Sequence, residues 1–80
     1  MKELGKSKKF LKQFGQQIRK TRLKLGLSQE VFAEKADIHR TYVSSIELGK
    51  VDIGLGVAHK LSQALNTPLS KIVKSTERKI

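Results

Sequence analysis

From Phe10 onward, apolar side chains recur at helical spacing in five groups. Phe10, Phe14, Ile18 and Leu25, with Leu11 beside them and Thr21 filling the one gap, mark a buried stripe on a first helix. Gly26 is placed to end that helix, because helices often close through a left-handed residue that glycine adopts without steric cost. Leu27 then turns back toward the core. Ser28 suits the N-cap of a second helix, although Val31 occupies the position where a capping box needs Glu or Gln. Phe32, Ala33 and Ala36 form its inner face, and Ala33 is small enough to let another helix approach closely. Asp37 and Ile38 make a turn, with Asp37 or His39 as the cap of a third helix that Val43 and Ile46 bury and Gly49 closes. After a loop from Lys50 to Gly54, Leu55, Ala58, Leu61, Ala64 and Leu65 face inward from a fourth helix. Gly54 and Gly56 weaken its start, by about 1 kcal/mol each relative to Ala if both are helical. Asn66 and Thr67 end it. Pro68 sits at or just before the first position of a fifth helix, where a missing N–H is harmless, and Leu69, Ile72 and Val73 give that helix its apolar edge. No segment reads as a strand. The pattern predicts an all-α, compact five-helix domain over residues 10–75. A basic arm (1–9) precedes it, either loose or a frayed helical start that Gly5 and Ser7 weaken, and a short polar tail (76–80) follows.

Composition narrows the chemistry. Eighty residues make one domain with a modest core, which self-association would help to stabilise. The absence of cysteine excludes disulfides and cysteine-ligated zinc. His39 and His59 lie far apart with no ligand spacing around them, so no metal is expected. No nucleophile–base pair, paired carboxylates or phosphate loop is visible, so neither an enzyme nor a cofactor is expected. No apolar run approaches the roughly 20 residues that span a bilayer, and the lysine-rich start lacks the apolar centre of a signal peptide. The cytoplasm is the expected compartment, with no membrane partner and no evident small-molecule ligand.

Charge changes the picture most. The chain carries 17 Lys and Arg against 7 Asp and Glu, a net charge of +10. Nine of the basic residues fall in residues 1–24 with Glu3 as the one acid there, leaving eight basic and six acidic residues in the other 56. Such a face is either a solvated aid to solubility or a surface that meets phosphates.

The stretch Ser28 to Lys50 joins the second and third helices by a tight turn and leaves Arg40, Thr41, Ser44, Ser45 and Glu47 outward or at the edges of the third. This is the pattern of a helix-turn-helix, whose second helix enters the major groove and reads base edges with its first residues. Arg40 is the strongest candidate reader, since a guanidinium can bond O6 and N7 of guanine together. Its alternative is a phosphate, or a pairing with Asp37 or Glu47. Thr41 can donate to a base or pack its methyl on thymine, while Ser44 and Ser45 reach less far. Ser28 and Gln29 stand at a helix N-terminus, where backbone N–H groups favour a phosphate, although Ser28 also reads as a plain N-cap. Tyr42 either sets its hydroxyl on a phosphate or is structural, and His39 either touches the backbone or is a solvent-exposed cap. Lys50 joins the phosphate-binding candidates. Leu69, Ile72 and Val73 either form a two-fold dimer interface or cap the core of a single chain.

These residues resemble the Xre-like helix-turn-helix family, which includes lambdoid phage repressors and Cro proteins, and most closely the controller proteins of restriction–modification systems. The resemblance rests on Arg22, Gly26-Leu27-Ser28-Gln29-Glu30, Phe32-Ala33, Ile38-His39-Arg40-Thr41-Tyr42-Val43-Ser44, Ile46-Glu47 and Gly49, then Leu55, Ala64-Leu65-Asn66 and Pro68-Leu69-Ser70. It covers about residues 11–74 and is specific to the family rather than to a biological role. It implies a lambda-repressor-like fold and a homodimer joined through the last helix on a pseudo-palindromic operator. It further implies Gln29 on a phosphate, Arg40, Thr41 and Ser44 in the groove, and an internal ion pair between Arg22 and Glu47. Where many controller proteins carry Arg or Asn after the Glu and a basic or Asn residue in the next loop, this chain has Leu48, Val51 and Asp52. The expected function is sequence-specific, double-stranded DNA-binding transcriptional regulation. The alternative is an antitoxin-type protein-interaction module that also binds DNA.

Overall fold

The computed structural model describes residues 3–80, with side chains from Ser7 onward, and within them forms five α-helices. They are α1 (Glu3–Lys24), α2 (Gln29–Ala36), α3 (Arg40–Glu47), α4 (Leu55–Ala64) and α5 (Leu69–Arg78). Phe14 and Ile18 of α1, Phe32, Ala33 and Ala36 of α2, Val43 and Ile46 of α3, Ala58 and Leu61 of α4, Leu65 and Ile72 bury together as one core. The helical spacing read from the sequence therefore selects the residues that meet.

Four of the helices end in the same way. Gly26, Asp37, Gly49 and Asn66 have positive φ, and each donates its N–H three residues back while the next residue donates five back. This double bond satisfies carbonyls that the helix end leaves open. Glycine takes the conformation freely at Gly26 and Gly49, and the short polar side chains of Asp37 and Asn66 tolerate it.

Of the two readings of the first nine residues, the structure has the helical start: α1 begins at Glu3, because Gly5 and Ser7 are too few to interrupt a 22-residue helix anchored by Phe10 and Phe14; Met1 and Lys2 lie outside the described residues. Two expectations are corrected. Leu25 follows the end of α1 and is 50% exposed rather than part of the stripe. The polar tail is mostly helix: α5 runs to Arg78, and Thr76 is fully buried because its hydroxyl donates to the Ile72 carbonyl at 2.8 Å.

Two glycines set the distance between α1 and α3. A Cβ on Gly15 would lie 2.2 Å from the Ile46 carbonyl oxygen and 2.7 Å from that of Glu47. A Cβ on Gly49 would lie 2.6 Å from the Lys12 Cα. The backbone at the end of α3 thus rests directly on the backbone of α1.

Candidate nucleic-acid interface

The site begins with a charged pair in the interior. The Arg22 guanidinium donates from Nε to Glu47 Oε2 at 2.6 Å and from Nη2 to Oε1 at 3.0 Å, with both side chains almost wholly buried. Its third nitrogen, Nη1, donates to the Leu27 carbonyl at 2.8 Å, which ties the α1–α2 turn to the same centre. A buried charge is tolerable only when paired and hydrogen-bonded, and this pair is both. Among the described residues, every buried side-chain nitrogen and oxygen has a partner.

The pair extends outward to the surface. Gln29 donates from Nε2 to Glu47 Oε1 at 3.1 Å, and its own Oε1 accepts from Arg40 Nη1 at 3.3 Å. Four residues from α1, α2 and α3 thus form one polar chain, buried at Arg22 and exposed at Arg40. The ion pair was legible in the sequence through the resemblance. The place of Gln29 within the chain was not, since nothing in the spacing shows where a carboxamide turns.

The helix geometry then places the reading candidates. Arg40, Thr41, Ser44 and Ser45 fall on the side of α3 away from Val43 and Ile46, with Arg40 and Thr41 exposed and the serines half-buried. His39 holds the N-cap position of α3, exposed and with no side-chain cap bond. Tyr42 is half-buried against the core. Ser28 caps α2 by accepting from the Val31 N–H at 3.1 Å, so the first-turn N–H groups of Gln29 and Glu30 have no capping side chain. Lys50 is exposed beyond the opposite end of α3 from Arg40.

Of the three dimer candidates, Ile72 is 3% exposed and belongs to the core of the single chain, which removes it from any outer face. Leu69 and Val73 are partly buried against that core and line a groove with Phe10, Leu11, Ile53 and Leu55. Leu55, 81% exposed at the start of α4, was assigned to the interior by its helical spacing and instead stands at the rim of this groove. Its place as the first residue of α4, before the helix turns inward, explains the difference.

Residues 18–72 match the helix-turn-helix family HTH_3. The chain belongs to the helix-turn-helix family. Within it, the chain is 42% identical over 66 residues to the control protein C.MunI of Mycoplasma sp, spanning 81% of this chain and 89% of that protein. It is 47% identical over 53 residues to the control protein C.BamHI of Bacillus amyloliquefaciens, 65% of each chain. The crystal structure of the restriction-modification controller protein C.AhdI from Aeromonas hydrophila superposes with a TM-score of 0.76 at 35% identity, covering 78% of this chain and 94% of that one. This helix-turn-helix chain is a DNA-binding transcriptional regulator of the control-protein type, not an enzyme. Among the described residues, no helix is long and apolar enough to cross a membrane.

Proposed function

We propose that the chain controls transcription as a two-fold dimer on a pseudo-palindromic duplex, in the role of a restriction–modification controller. The observation that carries this is the Arg22–Glu47–Gln29–Arg40 chain, which holds the exposed start of α3 against a buried ion pair. A major groove about 12 Å wide accepts one helix, and Arg40 and Thr41 lead α3 into it. Arg40 takes a guanine through two bonds, Thr41 a base edge or a thymine methyl, and Ser44 and Ser45 the bases one turn on. The first-turn N–H groups of α2 receive a phosphate at the positive end of that helix, with Ser28, His39, Tyr42 and Lys50 as further backbone contacts. Gln29 contributes its N–H, while its carboxamide spaces Arg40 from Glu47.

The dimer hides the groove side of the molecule, where Leu55, Leu69 and Val73 cluster around Phe10 and Leu11. A small domain gains most from covering such a surface. A two-fold axis there sets the reading helices about 34 Å apart, one turn of duplex. Selection from a random duplex pool should return inverted half-sites whose centres lie roughly 10–11 base pairs apart. Leu55→Asp, at a side chain exposed in the single chain, should give a folded monomer that loses selected-duplex affinity far more than random-duplex affinity. An enriched pool without inverted symmetry, or a Leu55→Asp variant that sediments as the unmutated chain does, overturns the dimer.

A further inference from the structure

α1 carries more charge than the reading site uses. Lys8, Lys9, Lys12, Arg19 and Lys20 are all exposed, with Lys9, Lys12 and Lys20 on the side of α1 opposite Phe14 and Ile18 and Lys8 and Arg19 on its flank. Lys79, at the end of α5, comes up beside Lys9 and Lys12 and lines one hollow with them and another with Lys12, Arg19 and Lys20. The one acidic side chain lining either hollow is Glu47, already committed to Arg22.

This arrangement does nothing for the fold. Lys8 and Lys12 stand one turn apart, where like charges repel. The turn of α1 in which cations complement the helix dipole is its last, occupied by Arg22 and Lys24, and Lys12 lies more than two turns upstream. Residues 8, 9 and 12 also precede the matched helix-turn-helix segment, which begins at residue 18. Their position relative to the reading helix is nevertheless fixed. The Lys12 backbone meets Gly49 at the end of α3, and Arg22, at the other end of the basic face, is bonded to Glu47.

We propose that this face of α1, with Lys79, binds the phosphate backbone of duplex DNA flanking each half-site. The inference rests on the regulator reading above. From Lys8 to Lys20 the face is about 18 Å long at 1.5 Å per residue, enough to follow several phosphates. It adjoins the polar chain at its buried end, Arg22, and runs from there toward the start of α1, so the flanking duplex reaches its far end by being drawn toward the protein. The partner is identified by charge complementarity: two groups of cations on α1, bridged by Lys79, with no exposed acidic side chain lining their hollows.

The test uses the 80-residue chain and its triple variant Lys8→Gln, Lys9→Gln, Lys12→Gln. All three side chains are exposed, so the variant should melt at or above the temperature of the unmutated chain. Both are titrated with the selected duplex trimmed to its half-sites and with the same duplex extended by about one turn on each side. On the trimmed duplex the two should bind alike. On the extended duplex the unmutated chain should bind more tightly than the variant and carry a steeper salt dependence. With three phosphate contacts at stake per protomer, six per dimer, its affinity should fall on the order of 10³-fold further than the variant's between 50 and 200 mM salt. Equal affinity and equal salt slope on the extended duplex would overturn the inference and leave the face to an anionic protein. Equal losses by the variant on both duplexes would also overturn it, since the lysines would then belong to the half-site contact. Failure of the unmutated chain to bind any duplex would instead refute the regulator reading, and the inference with it.

Discussion

Gly15→Ala is a substitution whose sign depends on a single close contact. Inside a helix, Ala is favoured over Gly by about 1 kcal/mol, so α1 alone should gain from it. Against this, the new methyl would stand 2.2 Å from the Ile46 carbonyl oxygen, 2.7 Å from that of Glu47 and 2.9 Å from the Glu47 carbonyl carbon. All three obstacles are backbone, so no side-chain rotation relieves the contact, and the end of α3 must move by about 1 Å. Overpacking of this kind typically costs about 1–3 kcal/mol. The movement also strains the Arg22–Glu47 bonds, of 2.6 and 3.0 Å, each a charge-assisted bond worth roughly 1.5–3 kcal/mol. Partial loss of one such bond, added to the overpacking and offset by the propensity gain, leaves a net destabilisation of about 1–3 kcal/mol. For a domain of this size that lowers the melting temperature by on the order of 5–20 °C. Gly56→Ala is the control, because Gly56 lies within α4 and a Cβ there meets nothing within 4 Å. It should stabilise the chain by up to about 1 kcal/mol. Urea denaturation of the two variants measures both values. If Gly15→Ala stabilises the protein as Gly56→Ala does, the close crossing of α1 and α3 is wrong.

Other substitutions test the polar chain and the end of α5. Glu47→Gln preserves shape but leaves the Arg22 charge buried without its partner, a loss of about 3–5 kcal/mol in urea denaturation, and a change below 1 kcal/mol would place the pair in solvent. Arg40→Ala should cost about 1–3 kcal/mol on the selected duplex and much less on random DNA; equal losses on both would make Arg40 a phosphate ligand. Because Gln29 holds Arg40, the two alanine variants should be non-additive by at least about 0.5 kcal/mol in a double-mutant cycle on the selected duplex, and strict additivity would break the chain at that link. Thr76→Asp places a charge where the residue is fully buried and should cost at least about 3 kcal/mol, whereas a solvated tail would tolerate it.

The parts of the fold legible in the sequence are those fixed by local periodicity and by residues with special backbone freedom. The apolar stripes identified five helices and most of the core, and Gly26 and Gly49 marked the ends where left-handed residues occur. What escaped depends on contacts across the chain. Thr76 looks like a polar tail residue until its hydroxyl is seen to bond within its own helix, which permits burial. Gly15 carries a signal that could have been used, since an unexplained glycine inside a strongly periodic helix often marks close backbone approach. Leu55 follows the helical period of α4 but is its first residue, and periodicity alone does not say how a helix start is oriented. In the site, the sequence offered Arg40, Thr41, Ser44 and Ser45 as reading candidates from their residue types and positions, and helix geometry puts them on one side of α3. The role of Gln29 as a bridge was set by two hydrogen bonds to residues 18 and 11 positions away, which no short-range pattern encodes.

The central claim is that the start of α3, held by the Arg22–Glu47–Gln29–Arg40 chain, enters the major groove. Amide and side-chain chemical shifts of the isotopically labelled chain, titrated with the selected duplex, test it most directly. The account predicts the largest changes at Ser28 and Gln29, at Arg40, Thr41, Ser44 and Ser45, and at the Arg40 guanidinium, with the buried Leu61, Leu65 and Ile72 almost unmoved. Large changes confined to α4 and α5, with Arg40 and Thr41 silent, would contradict it.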